Sequence, residues 1–437
     1  MTAKNDYNDI AIIGGGASGL MCAAFASMSD YKVTVFEKNS SLHRYESDVY
    51  FDNAYLGKKL LITGKGRCNI TNNCSTEDFL KNVTVNPKFL FSALKCFDTA
   101  SVMEFFEKFG CPVKTERGNR VFPVSDKSID VLRALKNSIK KTNCRFLNCN
   151  VNDIKKENTD FLISCGENEI FSFKKVIICT GGLSYPSTGS TGDGYEFAKK
   201  FGHTVTDLRP SLVSIELNGD FHEKVIGLSL RNVTLSLFGD KNKKIFSELG
   251  EMMFSHFGVT GPLVLSCSAH IRDDISKYRL EIDLKPALSE EVLDARLVSD
   301  FEKYINRDIC NAMKDLLPQS LIKPFIELCG IPLWTKANEL KREQRKCILN
   351  NLKHLQLDLK SLRPIYEAVI TSGGVSTKEI NPSTMESKKC PGLYFAGEII
   401  DVDAYTGGFN LQIAFSTGKL AAISAIESLK KEEGILS

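Results

Sequence analysis

The sequence has almost no excess of charge: 56 basic against 53 acidic residues among 437 leave +3 at pH 7. So small a sum offers no broad field for phosphates or a lipid surface, and no nucleic-acid or membrane partner is expected. Cys-x-x-Cys pairs are also missing. The 14 cysteines are scattered from Cys22 to Cys390, which excludes a zinc ribbon or a dithiol redox centre. They are expected to be reduced thiols, most of them core fillers, in a cytoplasmic enzyme that holds no metal. There is no internal repeat or low-complexity stretch, and Asp6 and Asp9 sit where a secretory leader would carry positive charge. Ile10 to Met28 contains no charged residue, yet its glycines divide it into strand and helix, which suits a buried soluble core better than a membrane span. Apolar residues at 43% and charged residues at 25% exclude a disordered or collagen-like chain, and the length suits roughly three domains.

What is present begins with IAIIGGGASG. Gly14, Gly16 and Gly19 fit G-x-G-x-x-G between a β-rich run and a helical one, and a second β-rich run ends at Glu37. In this pattern the first glycine makes the turn, the second lets a pyrophosphate approach the backbone, and the third lets helix pack on strand. The helix start then supplies N–H groups to the phosphates. An acidic residue in Glu37's place binds both ribose hydroxyls of an adenosine. KVIICTGG, ending at Gly182, and GLYFAGE, from Gly392 to Glu398, read as further central strands of the same sheet despite their separation.

Between them the pattern changes. Short alternating segments such as LRNVTLSLF and YRLEIDL predict an inserted antiparallel β-domain over 203–286. Leu, Lys and Glu at helical spacing, with breaks at Pro318, Pro324 and Pro332, predict a small helical subdomain over 287–360. The fold class expected is α/β: a Rossmann-like FAD-binding domain of glutathione-reductase type, formed by 1–202 and 361–437 and interrupted by these two insertions.

Two features favour FAD over NAD as the tightly held dinucleotide. GKKLLITGKGRCNITN, Gly57 to Asn72, is a glycine- and amide-rich loop able to wrap an extended cofactor, with Arg67 as its cation. The segment from Gly392 onward gives a strand, acidic residues at Glu398, Asp401 and Asp403, a Gly407-Gly408 turn, and a helix opening near Asn410. A helix start in that place stabilises negative charge on a reduced flavin. A second glycine fingerprint is lacking, so either NAD(P)H docks transiently against the flavin, or an organic substrate reduces it directly and oxygen reoxidises it.

The same motifs, with TGGLSYPSTGSTGDGYEFAKKFGH, SHFGVTGP and ITSGGVSTKEI, make the chain similar to the BaiN/YhiN-like family of NAD(P)/FAD-dependent oxidoreductases, some of whose members carry the name aminoacetone oxidase. The resemblance spans most of the chain. It implies FAD contacts at Gly14, Gly16, Ala17, Ser18, Gly19, Glu37, Lys38, Gly66, Arg67, Cys68, Asn69, Val151, Thr180, Gly181, Gly397, Glu398, Asp401, Asn410, Leu411 and Gln412, with Gly408 at the turn beneath the last three. One departure is an insertion, Asn39 to Leu56, whose His43, Arg44, Tyr45, Tyr50, Phe51 and Tyr55 suit either a solvated loop or a lid.

No side chain identifies itself as a catalyst. Cys68 is either a redox thiol or a small residue packed by the cofactor, and His256 either an acid–base group or a turn support. Tyr185 and Tyr405 adjoin glycine turns and either orient substrate or form apolar wall. Three functions remain open: an NAD(P)H-linked reductase of an unsaturated or carbonyl-bearing small molecule, a small-amine oxidase making hydrogen peroxide, and a non-catalytic flavin- or RNA-associated protein. Lys341 to Lys346, KREQRK, reads as a solvated face. Substrate and oligomeric state carry no signature.

Overall fold

The computed structural model describes residues 8–39, 56–166 and 169–435. Most of the Asn39–Leu56 insertion, with His43, Arg44, Tyr45, Tyr50, Phe51 and Tyr55, lies outside the described residues. The chain divides into two units, Met1–Pro210 with Ile365–Ser437, and Ser211–Pro364.

The first unit is built on a five-stranded sheet. Its strands are β1 (Ile10–Ile13), β2 (Val33–Glu37), β3 (Cys144–Asn148), β4 (Lys175–Ile178) and β5 (Leu393–Phe395), in the order β5-β4-β1-β2-β3. All neighbours are parallel, with Ile12 opposite both Val35 and Ile177, and Ile177 opposite Tyr394. The chain thus returns to its first sheet after some 200 residues, as KVIICTGG and GLYFAGE suggested. Parallel strands are covered on both faces, which explains why β1, IAII, is apolar at every position and fully buried. Each such isoleucine contributes about 1.5–3 kcal/mol of burial.

Helix α1 (Ala17–Ala26) follows β1 directly and is apolar on nearly all sides, because the long C-terminal helix Phe409–Glu432 packs on it. The two approach closely: a Cβ on Gly418 would stand 2.7 Å from the Ser18 carbonyl, and the Cys22 thiol donates to the Gly418 carbonyl at 3.1 Å.

The sheet reverses direction of growth at β1, with β2 and β3 on one side and β4 and β5 on the other. Doubly wound sheets bind ligands in the crevice beyond the carboxyl ends of such strands.

Between β3 and β4 a three-stranded antiparallel ribbon (Val151–Glu157, Asp160–Cys165, Glu169–Phe173) crosses over. It corrects one expectation about the cysteines. Cys149 and Cys165, with Cα atoms 5.9 Å apart, are joined as a disulfide, because the hairpin sets Val151 opposite Cys165. A separation of 16 residues gives no clue to such a pairing in sequence.

The second unit holds a seven-stranded antiparallel sheet in the order Leu355–Leu357, Arg279–Asp283, Ser229–Phe238, Lys244–Ser255, Gly258–Thr260, Ile215–Leu217, Leu359–Leu362. The helices Glu290–Lys303, Gln319–Leu328 and Arg342–Lys353 share one core with this sheet: Leu293, Leu297, Ile322, Phe325, Ile348 and Leu352 join Leu235, Leu237, Leu280 and Ile282. The 203–286 and 287–360 segments, read from sequence as separate pieces, are therefore parts of one unit, since the two strands at 355–362 close its sheet edges. Pro324 lies inside a helix rather than breaking one, and the carbonyl it leaves unpaired, four residues back, belongs to exposed Ser320. No helix among the described residues is long and apolar enough to cross a membrane.

Candidate functional site

A cleft of about 1340 Å³, mouth included, opens over the carboxyl ends of β1, β2 and β4 in the first unit. Its floor is the glycine turn. Gly14 sits at φ +105°, and a Cβ there would stand 2.6 Å from the Cys179 carbonyl oxygen. A Cβ on Gly19 would stand 1.9 Å from the Gly14 oxygen, so only glycine lets α1 lie this close to the turn. Gly16 differs: its backbone is extended, and a Cβ would meet no atom within 4 Å. Its open side is the space a phosphate needs.

Glu37, 9% exposed, lies at one end of the cleft; its carboxylate accepts the Gly15 N–H at 2.9 Å and the Asn39 N–H at 2.8 Å. Lys38 pairs with Asp193 at 2.5 Å and donates to Thr191, fastening the end of β2 to the helix Asp193–Lys200. Asn150, Val151, Thr180, Gly181 and Ser190 continue the wall. The Thr180 hydroxyl is buried with no partner among the described residues, a polar atom that a ligand in the cleft would satisfy.

The other end is formed by α2 (Lys58–Ile62), by Val369, Ile370, Glu398 and Val402, and by the first turn of Phe409–Glu432. Gly408 caps that long helix at φ +95°, pressed so close to Thr71 that a Cβ would stand 2.3 Å from its carbonyl oxygen. No side chain caps the helix and its first turn has no acidic residue, leaving the positive end beside Asn410 and Leu411 in the cleft wall. Asn410's own amide is engaged with the preceding loop, donating to the Ala404 carbonyl at 2.7 Å and accepting the Ala404 N–H at 3.0 Å. Lys59 and Glu398 form an ion pair at 2.6 Å, and Glu398 also accepts from the Ser184 hydroxyl and the Thr371 N–H, each at 2.8 Å.

Other residues named from sequence sit elsewhere. Gln412 is fully buried, accepting from Thr71 at 2.5 Å and donating to the Phe97 carbonyl at 2.9 Å, and does not line the cleft. Gly66 is exposed, while Arg67 pairs with Glu116 and Asp126, both at 2.5 Å, and stacks 4.1 Å over Phe122. Cys68 is wholly buried and burial pushes its thiol up to about 12, which makes it unreactive as a thiolate. Asn69 holds a buried carbonyl oxygen without a partner among the described residues. Gly397 backs onto the Ser18 hydroxyl, and Asp401 accepts Asn86 at its backbone carbonyl, 2.8 Å. Tyr185 and Tyr405 are half-buried and outside the cleft lining, and His256 is exposed in the second unit beside Phe257.

Reasoning from sequence overlooked Lys59, Asp193, Ser190 and Ile370. Lys59 lay within the quoted glycine-rich motif, of which Gly57, Lys58, Lys59, Leu60 and Thr63 line the cleft, where Gly66 to Asn69 do not.

A parallel sheet switching at β1, a three-glycine turn under a helix start, an acidic end to β2 and a late uncapped helix end beside the cleft define an FAD-dependent oxidoreductase of Rossmann type. The family model described as HI0933-like protein Rossmann domain matches residues 8–424, and the chain belongs to that family, the BaiN/YhiN-like one whose motifs it carries. It is 30% identical over 424 residues, 96% of this chain and 99% of the relative, to a 3-dehydro-bile acid delta(4,6)-reductase of Clostridium scindens. It is 28% identical over 413 residues, 94% of this chain and 96% of the relative, to a ribosomal RNA dihydrouridine synthase of Escherichia coli. Among solved structures, a 3-ketosteroid delta1-dehydrogenase of Sterolibacterium denitrificans matches 96% of this chain and 99% of its own at a TM-score of 0.49 and 12% identity.

Proposed function

We propose that this enzyme uses electrons from NAD(P)H to reduce a carbon–carbon double bond conjugated to a carbonyl. The observation that carries the reading is the full-length 30% identity to a reductase whose name specifies a 3-oxo, delta(4,6) substrate. The second relative's name specifies conversion of uridine to dihydrouridine, which is again saturation of a double bond beside a carbonyl. Two different substrates thus share one reaction, and the shared reaction is what transfers.

The chain's own groups suit this division of labour. FAD supplies hydride transfer when bound. The Gly14–Gly19 turn and the start of α1 hold the pyrophosphate, Glu37 holds the adenosine ribose, and the uncapped helix end at Asn410 and Leu411 steadies negative charge. Leu60, Val369, Ile370, Val402 and Leu411 give the far end of the cleft an apolar wall for a hydrophobic substrate and keep water from the reacting carbons. Only one dinucleotide fingerprint is present, so the nicotinamide donor binds in passing and leaves before the acceptor enters.

An RNA acceptor is the second reading, favoured by the dihydrouridine synthase relative. The Ser211–Pro364 unit carries 22 basic and 21 acidic residues, which gives it no general pull on phosphate. The experiment is NAD(P)H consumption with a 3-oxo-4,6-diene steroid and, separately, with an unmodified ribosomal RNA transcript. Turnover of the steroid alone supports a small-molecule reductase, turnover of the RNA alone supports the second reading, and hydrogen peroxide formed from a primary amine with neither turned over would make it an oxidase.

A further inference from the structure

The ammonium of Lys59 has three N–H donors, and two are committed: one to Glu398 Oε2 at 2.6 Å, one to the Ser184 hydroxyl at 2.5 Å. The third has no partner among the described residues. Glu398 is itself fixed, because its other oxygen accepts from Ser184 and from the Thr371 backbone. Ser184 is fully buried, and the Thr371 hydroxyl accepts the Leu183 and Ser184 N–H groups, so the frame around Lys59 belongs to the rigid turn after β4. The result is a cation in the cleft wall with its direction set by two anchors and one donor left over, in a cleft that Leu60 and Ile370 also line. A preoriented charged donor is the arrangement that stabilises a developing oxyanion, because no reorganisation is needed when the charge appears.

We propose that Lys59 binds the carbonyl oxygen of the substrate. This rests on the reductase reading for its role in turnover. FAD, when bound and reduced by the nicotinamide dinucleotide, would supply the hydride that the far carbon of the conjugated double bond takes up. The π pair moves toward the carbonyl, whose oxygen becomes an enolate oxyanion hydrogen-bonded by Lys59, and a proton from water then forms the Cα–H bond. A cation there stabilises the oxyanion that an isolated alkene cannot form, and so widens the intrinsic advantage of the unsaturated carbonyl. Lys59 therefore selects the substrate class, with Glu398 and Ser184 as its positioning residues.

The test uses the oxidised, FAD-loaded protein, with cyclohexanone and its shape-matched analogue methylenecyclohexane as probes and the flavin visible band as the reporter of binding. Wild type should bind the ketone at least about tenfold more tightly than the alkene, as a charged donor lost to an analogue with no acceptor implies. Lys59→Met, and Lys59→Met with Glu398→Gln to remove the orphaned carboxylate, should bind both to within about twofold, and Lys59→Arg should restore the preference. Should the Met variants fail to hold flavin, Lys59→Gln, which keeps a donor without the charge, should lower the preference and leave FAD affinity unchanged. A preference that survives in Lys59→Met, or its absence in wild type, overturns the assignment. Turnover of cyclohex-2-enone with NAD(P)H is scored separately: a carbonyl preference that depends on Lys59 without turnover upholds the binding role and sinks the reductase reading.

Discussion

Two glycines three residues apart should fail in opposite ways when a methyl group is added. At Gly19 the new Cβ would stand 1.9 Å from the Gly14 carbonyl oxygen, so α1 must move away from the end of β1 by more than 1 Å, at a place where both elements are buried. Overpacking of this kind costs about 1–3 kcal/mol, and with backbone on both sides the upper figure applies. At about 2–4 °C per kcal/mol for a unit of this size, Gly19→Ala should lower the melting temperature of the apoprotein by about 6 °C or more. At Gly16 the backbone angles, φ −79° and ψ −167°, accept alanine, and nothing lies within 4 Å. Gly16→Ala should therefore leave apoprotein stability within about 1 kcal/mol, the remaining cost being that of alanine at a helix N-cap. It should weaken FAD by at least tenfold, about 1.4 kcal/mol, because the methyl group occupies the space of the pyrophosphate. Thermal melts of the two apoproteins and a fluorescence titration with FAD separate the effects. Wild-type affinity in Gly16→Ala, or an unchanged melt in Gly19→Ala, would refute the reasoning.

Three further outcomes are expected. His203, buried against Phe395 with Ser387 at 2.7 Å, is held below its ordinary value by burial, so its contribution to stability is full above about pH 6.5, where the unfolded chain is neutral too, and declines as pH falls below it. Glu379 beside it is brought down to about 2: burial opposes this, but the hydrogen bonds from Lys389 and Thr204 outweigh it, so its stabilisation is lost as pH falls from 4.5 towards 2. Melting temperature should drop in both windows, and His203→Gln should flatten the first; an unchanged slope there would count against the assignment. Gly408→Val adds a branched side chain at φ +95° against the Thr71 carbonyl and should release flavin and lower stability by about 3 kcal/mol, read from flavin content and melting together. With Cys149 and Cys165 joined, thiol titration of the denatured, unreduced protein should find two fewer thiols than its 14 cysteines, and reduction should cost about 3 kcal/mol for a loop of this length; a full count of 14 would show the bond absent.

The parts of this architecture most legible in sequence are those where chemistry leaves no choice of residue. Only glycine can stand where Gly14 and Gly19 stand, and a strand buried on both faces must read as IAII. The late return to the sheet was legible for the same reason, since Val176–Ile178 and Leu393–Phe395 are apolar and aromatic runs buried at every position. What stayed hidden depends on partners distant in sequence. Arg67 suits a phosphate as well as it suits Glu116 and Asp126, and only the fold decides. Gln412 was read as a flavin contact from the resemblance and its place at a helix opening, yet two residues past Asn410 it lies about 200° round the helix and enters the core with Thr71 and Phe97. Strands of three and four residues at 355–362 are too short to announce themselves, so the helices before them looked like a separate piece. Lys59 reads as an ordinary solvated lysine until Glu398, 339 residues away, is placed beside it.

The most direct test of the account is an anaerobic titration of the FAD-loaded protein, first with NADH or NADPH and then with a 3-oxo-4,6-diene steroid or cyclohex-2-enone. The account predicts that one of the nucleotides bleaches the flavin band and that the conjugated carbonyl compound restores it with one equivalent of saturated product. A flavin that neither nucleotide reduces, or a reduced flavin that only oxygen reoxidises, would contradict it.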